Sequence, residues 1–377
     1  MQTAIIYNTF YYVAKFRIPL IKALIEDGHS VVVLAPRDDF ITDIQSVGAE
    51  VVVLPDMSSA RSIVLNLFPT LFLLWFSLRR KKVEVAFSYT IFPNLVTPWI
   101  AKSLKIRCYP NIAGLGSFIV RRPNLGTKIL TAAYTLSAKI SSGVFFQNSD
   151  DRADLGMLNC SRAVLLPGSG VDTSRFSPSS NRLDDYDYGL INIVFVGRLL
   201  RQKGIIDFIQ LSEQVFQADA LPESVKSRVR FTVVGERIDT EHEVNEKLDA
   251  AISSKLITYG GIVPPSEMES VYRAARFFVL PTTYGEGIPR TILEASSMGV
   301  PCLAYEWRGV RDAIDDHKSG WLTDPGNVSG LAERLIDALL LSLSEYRCMA
   351  EYARGLMIRR FSEDIVIEQY KAAVRNI

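Results

Sequence analysis

The chain is 377 residues long, 48% hydrophobic and 22% charged. The length suits two α/β domains and the composition is globular, with no low-complexity segment or internal repeat, which excludes a repeat architecture. The net charge of +1 conceals an asymmetry: residues 57–149 hold 12 Lys and Arg against one acid, Glu84. A basic face of this kind suggests an anionic partner: a membrane surface, a lipid diphosphate or nucleic acid. Cys108, Cys160, Cys302 and Cys348 lack metal or redox spacing, which fits a reducing cytoplasmic setting. The N-terminus runs directly into a strand, so no secretory leader is expected.

In chain order, residues 3–7 read as a first strand, followed by a loop from Asn8 and a helix through Ile18, Leu20, Ile21, Leu24 and Ile25. Residues 31–34 and 51–54 are the next strands, with a short helix at 41–47 between them. This alternation means a parallel, doubly wound sheet. Residues 63–78, IVLNLFPTLFLLWFSL, lead into Arg79-Arg80-Lys81-Lys82. The run is shorter than the ~20 apolar residues of a membrane span, and Pro69 interrupts it. Two readings stand: a helix buried against the sheet, or one lying in a membrane interface with its cations at headgroup level. A strand at 83–88 ends in Ser88-Tyr89-Thr90. Another helix follows, then a strand from Arg107, a glycine loop at 111–117, and a last strand at 143–148. Residues 177–188, SPSSNRLDDYDY, are a polar linker. Asp185 and Asp187 spell D-x-D, but in a linker they read as solvated carboxylates rather than a metal site. The domains are therefore 1–178 and 189–360.

The second half repeats the alternation. A strand at 191–196 runs into Gly197-Arg198, with Lys203-Gly204 at the following helix start. A strand end, a glycine loop, a helix N-terminus and two cations converge there, which favours a bound phosphate. A further strand and turn occupy 231–236. Residues 277–280, FFVL, read as a buried parallel strand. The loop Tyr284-Gly285-Glu286-Gly287 leads to a helix that Pro289 opens and Gly299 closes. Its first-turn amides make a second anion site. Glu286 on the loop and Glu294 just over a turn into the helix can face the same cleft. Carboxylates accept hydrogen bonds from hydroxyls, so two of them beside a phosphate site suggest a sugar and a ribose.

Glu286 and Glu294, within EGIPRTILEA and followed by a glycine-ended helix and VPCLA, resemble the paired-glutamate motif of the family 4 retaining glycosyltransferases. The resemblance runs along almost the whole chain, with its specific motifs in residues 197–304. It implies a GT-B fold, two Rossmann-like parallel-sheet domains facing across a cleft, with an N-terminal acceptor domain that includes a crossover helix at 361–377. It implies donor contacts from Gly197, Arg198, Lys203, Ile262, Val263, Glu286, Gly287, Ile288, Pro289 and Glu294. Arg198 and Lys203 would stabilise the leaving diphosphate, Glu286 would hold the donor sugar and Glu294 the ribose, with no metal or other cofactor. The loop NIAGLGS resembles one in the subgroup that builds bacterial lipid-linked surface glycans, such as lipopolysaccharide O-antigen. Gly114, Gly116, Arg121 and Arg122 are thus acceptor candidates, together with Asn8 and Tyr89. Residues 168–172, GSGVD, resemble a junction segment in which Ser169 replaces the usual asparagine. Many relatives carry a histidine after the fourth strand of the first domain, where this chain has Ser88-Tyr89-Thr90. The expected activity is transfer of a hexosyl or N-acetylhexosaminyl group from a nucleotide-sugar, of which UDP-sugars are favoured. The acceptor is a polyprenyl diphosphate-linked saccharide, and the enzyme sits peripherally on the inner face of the plasma membrane, without nucleic acid. The alternatives are a nucleotide-sugar 2-epimerase of the same fold, disfavoured by only three histidines, and an inactive glycan-binding protein, disfavoured by the intact motif residues.

Overall fold

A computed structural model of the chain describes residues 1–57, 59–115, 125–179 and 189–375. The chain divides into two compact units, Met1–Ser169 with Asp364–Ile377, and Gly170–Glu363. The first contains β1 (Gln2–Ile6), α1 (Phe10–Phe16), α2 (Ile18–Glu26), β2 (Ser30–Pro36), α3 (Ile41–Ser46), β3 (Glu50–Leu54) and α4 (Ala60–Arg80). It continues with β4 (Val85–Tyr89), α5 (Ile91–Leu104), β5 (Arg107–Ile112), α6 (Leu125–Ile140), β6 (Val144–Phe146), α7 (Ser149–Asp154) and β7 (Ala163–Leu165). Its sheet has the order β3-β2-β1-β4-β5-β6-β7, with every pair parallel. The central strands are continuous apolar runs because helices cover both faces. The order reverses direction between β1 and β4, where ligand crevices form at the carboxyl ends of doubly wound sheets.

The second unit contains β8 (Ile191–Val196), α8 (Ile205–Gln217), α9 (Glu223–Lys226), β9 (Val229–Val234), α10 (His242–Ser253), β10 (Thr258–Tyr259) and α11 (Met268–Arg273). It goes on through β11 (Phe277–Leu280), α12 (Arg290–Ser297), β12 (Cys302–Tyr305), α13 (Val310–Ala313), β13 (Gly320–Thr323), α14 (Val328–Leu339) and α15 (Leu343–Leu356). The all-parallel order β10-β9-β8-β11-β12-β13 reverses between β8 and β11. The last helix, α16 (Glu363–Arg375), buries Val366, Tyr370, Ala373 and Val374 in the first unit's core. Tyr370 meets Phe87 edge-on there, with centroids 5.0 Å apart.

Two local readings change. Pro69 does not interrupt its segment: α4 runs unbroken for 21 residues, capped by Ser59 with a reciprocal Ser62 contact. It is one helix long and apolar enough to cross a membrane, yet only 22% of its apolar window is buried. Leu74 and Leu78 face the core, while Val64, Leu65, Phe68, Phe72 and Phe76 lie exposed. The simple buried-helix reading is therefore wrong for most of this surface. The C-terminal helix starts at Glu363, because residues Met357–Phe361 form a π-turn that continues α15.

Candidate active site

The residues expected to contact a donor lie on the segments after β8, β10 and β11, around the β8/β11 switch point of the second sheet. Three strand-end loops are laced side by side. Gly197 N donates to Val234 O at 3.0 Å, Gly235 N donates to Gly261 O at 2.8 Å, and the Tyr259 hydroxyl donates to Gly235 O at 2.8 Å. After Arg198 the chain makes a single 3₁₀ turn over Arg201–Lys203 and enters α8 through Gly204. Gly204 has φ +85°, and a Cβ there would lie 2.0 Å from Pro281 O. Only glycine allows this close approach, which brings the Arg198–Lys203 turn against the end of β11.

The contact is hydrogen-bonded. Thr283 N and Thr282 Oγ1 both donate to Gln202 O, at 2.9 and 3.2 Å. Lys203 Nζ then forms an ion pair with Glu286, and both side chains are largely buried. Lys203 Nζ also lies 5.1 Å from the centroid of the Tyr284 ring, and the Arg198 guanidinium lies 5.9 Å from the same centroid. Two cations and one carboxylate thus converge around Tyr284. Trp307 Nε1 donates to Tyr284 O at 3.2 Å and braces the loop from behind.

Pro289 is the N-cap of α12 rather than its first helical residue. Ile288 is buried in the core beneath the loop, which holds the amides of Gly287 and Ile288 at the helix entrance. Glu294 is 9% exposed. Arg290 Nε donates to its Oε1 and the Tyr272 hydroxyl to its Oε2, each at 2.9 Å. Ile262 is 71% exposed, and Val263 packs partly against the core. Both follow Gly261. No group of three or more His, Cys, Asp or Glu able to hold a metal ion occurs among the described residues.

In the first unit, Tyr89 ends β4 at the switch point but is 1% exposed. Its ring stacks on Tyr7 at 4.5 Å, and the Arg17 guanidinium covers it at 4.5 Å. Tyr89 is therefore packed inside the unit and does not present its ring to an acceptor, which corrects its reading as a direct contact. Asn8 follows Tyr7 directly in sequence, and its Oδ1 is buried with no hydrogen-bond partner among the described residues. Thr90 has φ +65°, a strained conformation for a β-branched residue, directly after Tyr89. Gly114 is described, with φ +131°. Gly116, Arg121 and Arg122 lie outside the described residues, as do Asp185 and Asp187.

Sequence reasoning missed Arg17, Tyr272, Tyr284, Arg290 and Gly309. Arg290 had a signal, an arginine four residues before Glu294 on one helix face. The others act across sequence gaps that carry no local pattern.

This architecture, two parallel-sheet Rossmann-like units with a phosphate-type site at a strand-end switch point, is the GT-B fold of glycosyltransferases. Residues 189–356 match the model of the family "Glycosyl transferases group 1". The chain is 23% identical over 370 residues to the N,N'-diacetylbacillosaminyl-diphospho-undecaprenol alpha-1,3-N-acetylgalactosaminyltransferase of Campylobacter jejuni, covering 94% of this chain and 93% of that protein. It is 26% identical over 200 residues to the Escherichia coli UDP-Gal:alpha-D-GlcNAc-diphosphoundecaprenol alpha-1,3-galactosyltransferase, covering 50% of this chain and about half, 49%, of that relative. Among solved structures, Anabaena Alr3699/HepE in complex with UDP superposes over 100% of both chains with a TM-score of 0.81 at 15% identity.

Proposed function

We propose that the protein transfers a hexosyl or N-acetylhexosaminyl group from a UDP-sugar to a polyprenyl diphosphate-linked saccharide, with retention of anomeric configuration, in surface-polysaccharide synthesis. The observation that carries this reading is the convergence of Arg198, Lys203 and Glu286 at the β8/β11 switch point. A departing nucleoside diphosphate gains negative charge, and fixed cations aimed at it lower the barrier. Arg198, Lys203 and the Gly287 and Ile288 amides supply that stabilisation. Glu286 accepts hydrogen bonds from the donor sugar's hydroxyls, and Glu294 accepts them from the ribose. The names of the Campylobacter and Escherichia coli relatives, with their undecaprenol-linked acceptors, support the acceptor class.

The test is a panel of UDP-, GDP- and ADP-sugars with a polyprenyl diphosphate-linked N-acetylhexosamine, the product's anomeric configuration being read by NMR. Acceptor-dependent transfer from a UDP-sugar with retention is expected, unchanged by EDTA. Inversion, activity that EDTA abolishes and Mg²⁺ restores, or 2-epimerised donor formed without acceptor would each contradict the reading.

The same reading places the first unit on the inner face of an anionic membrane. Phe68, Phe72 and Phe76 recur at four-residue spacing on the exposed face of α4, and Arg79, Arg80, Lys81 and Lys82 close its C-terminal end. Lys81 pairs with Glu50, so Arg79, Arg80 and Lys82 carry the electrostatic contact. Each basic residue near an anionic surface contributes about 1 kcal/mol, screened by salt, whereas apolar insertion resists salt. Replacing these cations with glutamine is expected to abolish the salt-sensitive part of binding to phosphatidylglycerol liposomes in a flotation assay. Phe68→Ser with Phe72→Ser should remove the salt-resistant part. Wild-type protein that stays in solution at ~50 mM salt, where screening is modest, would rule the docking out.

A further inference from the structure

The structure assigns Tyr272 as the positioning residue that, with Arg290, aims Glu294 at the two ribose hydroxyls of the donor nucleotide; this rests on the reading of Glu294 given above. A carboxylate offers about four lone-pair directions. Tyr272 takes one on Oε2 and Arg290 takes one on Oε1, each at 2.9 Å. Each oxygen then keeps a free direction. Two acceptor sites, one on each oxygen and a fixed distance apart, match the two donors of a vicinal diol.

The two anchors restrain different motions. Arg290 lies on the same helix as Glu294, one turn earlier, and holds the carboxylate along the helix face. Tyr272 comes from α11 and approaches the other oxygen. Its ring is 0% exposed and fixed by edge contacts with Phe176 and Phe278, both at 6.0 Å and 69°. Burial, and after it the negative charge of Glu294, holds the Tyr272 hydroxyl well above its ordinary pKa. The hydroxyl therefore keeps its proton and remains a donor. Together the anchors stop rotation of the carboxylate about its last bond, a freedom a ligand would otherwise have to freeze.

Tyr272→Phe removes the hydroxyl and keeps the ring, so a purely structural role would change the melting temperature alone. The positioning role predicts a change in discrimination between a ribose and a deoxyribose. Calorimetry pairs UDP with 2′-deoxy-UDP, with GDP or ADP and their deoxy forms as substitutes if UDP gives no heat. Wild type should bind the ribonucleotide about tenfold more tightly, as expected for a hydrogen bond to a charged group. Tyr272→Phe, and independently Arg290→Gln, should reduce that ratio to about twofold, as should Glu294→Gln. If Tyr272→Phe and Arg290→Gln keep the wild-type ratio while Glu294→Gln loses it, the positioning role is wrong and the ribose assignment stands. Equal binding of the two nucleotides by wild type overturns the ribose assignment and the positioning role with it.

Discussion

Lys203→Ala is expected to lower kcat/KM by about a hundredfold or more, the range seen when one preorganised stabiliser of transition-state charge is removed. Two losses combine in this variant. On the proposed reading, the departing diphosphate loses a cation held in the 3₁₀ turn between β8 and α8. Glu286 also loses the ammonium it pairs with in a largely buried setting, where an uncompensated charge is costly. The carboxylate can then turn towards solvent, away from the donor sugar. Lys203→Arg should recover part of the activity, because the charge returns on a longer and less compact head. Steady-state kinetics with the active donor, alongside melting curves, separates the chemistry from folding. A kcat/KM within threefold of wild type for Lys203→Ala would show that the lysine has no part in diphosphate departure.

Gly309→Ala should damage the second unit strongly. Gly309 caps α13 with φ +76°, and a Cβ there would sit 1.9 Å from Gly287 O and 3.2 Å from Ile288 N. The left-handed backbone alone costs an alanine about 1–2 kcal/mol. The overlap is with backbone, which cannot swing aside, so the loop of Glu286, Gly287 and Ile288 must move. A total of about 3 kcal/mol would lower the melting temperature of a unit this size by roughly 6–12 °C. Activity should fall further than stability, because the displaced loop carries Glu286 and the amides at the start of α12. Melting and activity measured below the transition check this. A variant with wild-type melting and wild-type turnover would mean that the close approach of Gly309 to Gly287 does not exist in solution.

The parts of the protein legible in the sequence are those written in short-range pattern. Apolar runs such as FFVL and INIVFV read as buried strands, and their alternation with helical segments implied parallel sheets. Gly299 marked the end of α12, and the pairing of a glycine loop with a helix entrance pointed to an anion site. The spacing of Glu286 and Glu294 belonged to the same local grammar. α4 shows where that grammar stops. Its run of apolar residues reads equally as core or as surface, because periodicity cannot say which face the rest of the unit covers. Pro69 suggested an interruption, but the helix runs through it without a break, at an exposed position.

By itself, then, the chain determined its strand and helix pattern and the chemistry of its loops, because propensity and capping act within a few residues. The tertiary structure alone decided which groups meet. Lys203 and Glu286 are separated by 83 positions and Tyr272 and Glu294 by 22, and they come together only because β8 and β11 are neighbours and α11 leads into β11. It also decided that Tyr89 is covered by Arg17 and Tyr7, and that the phenylalanines of α4 are not covered. Burial is a property of what packs against a residue, and that is settled by strand order across the sheet rather than by neighbours along the chain.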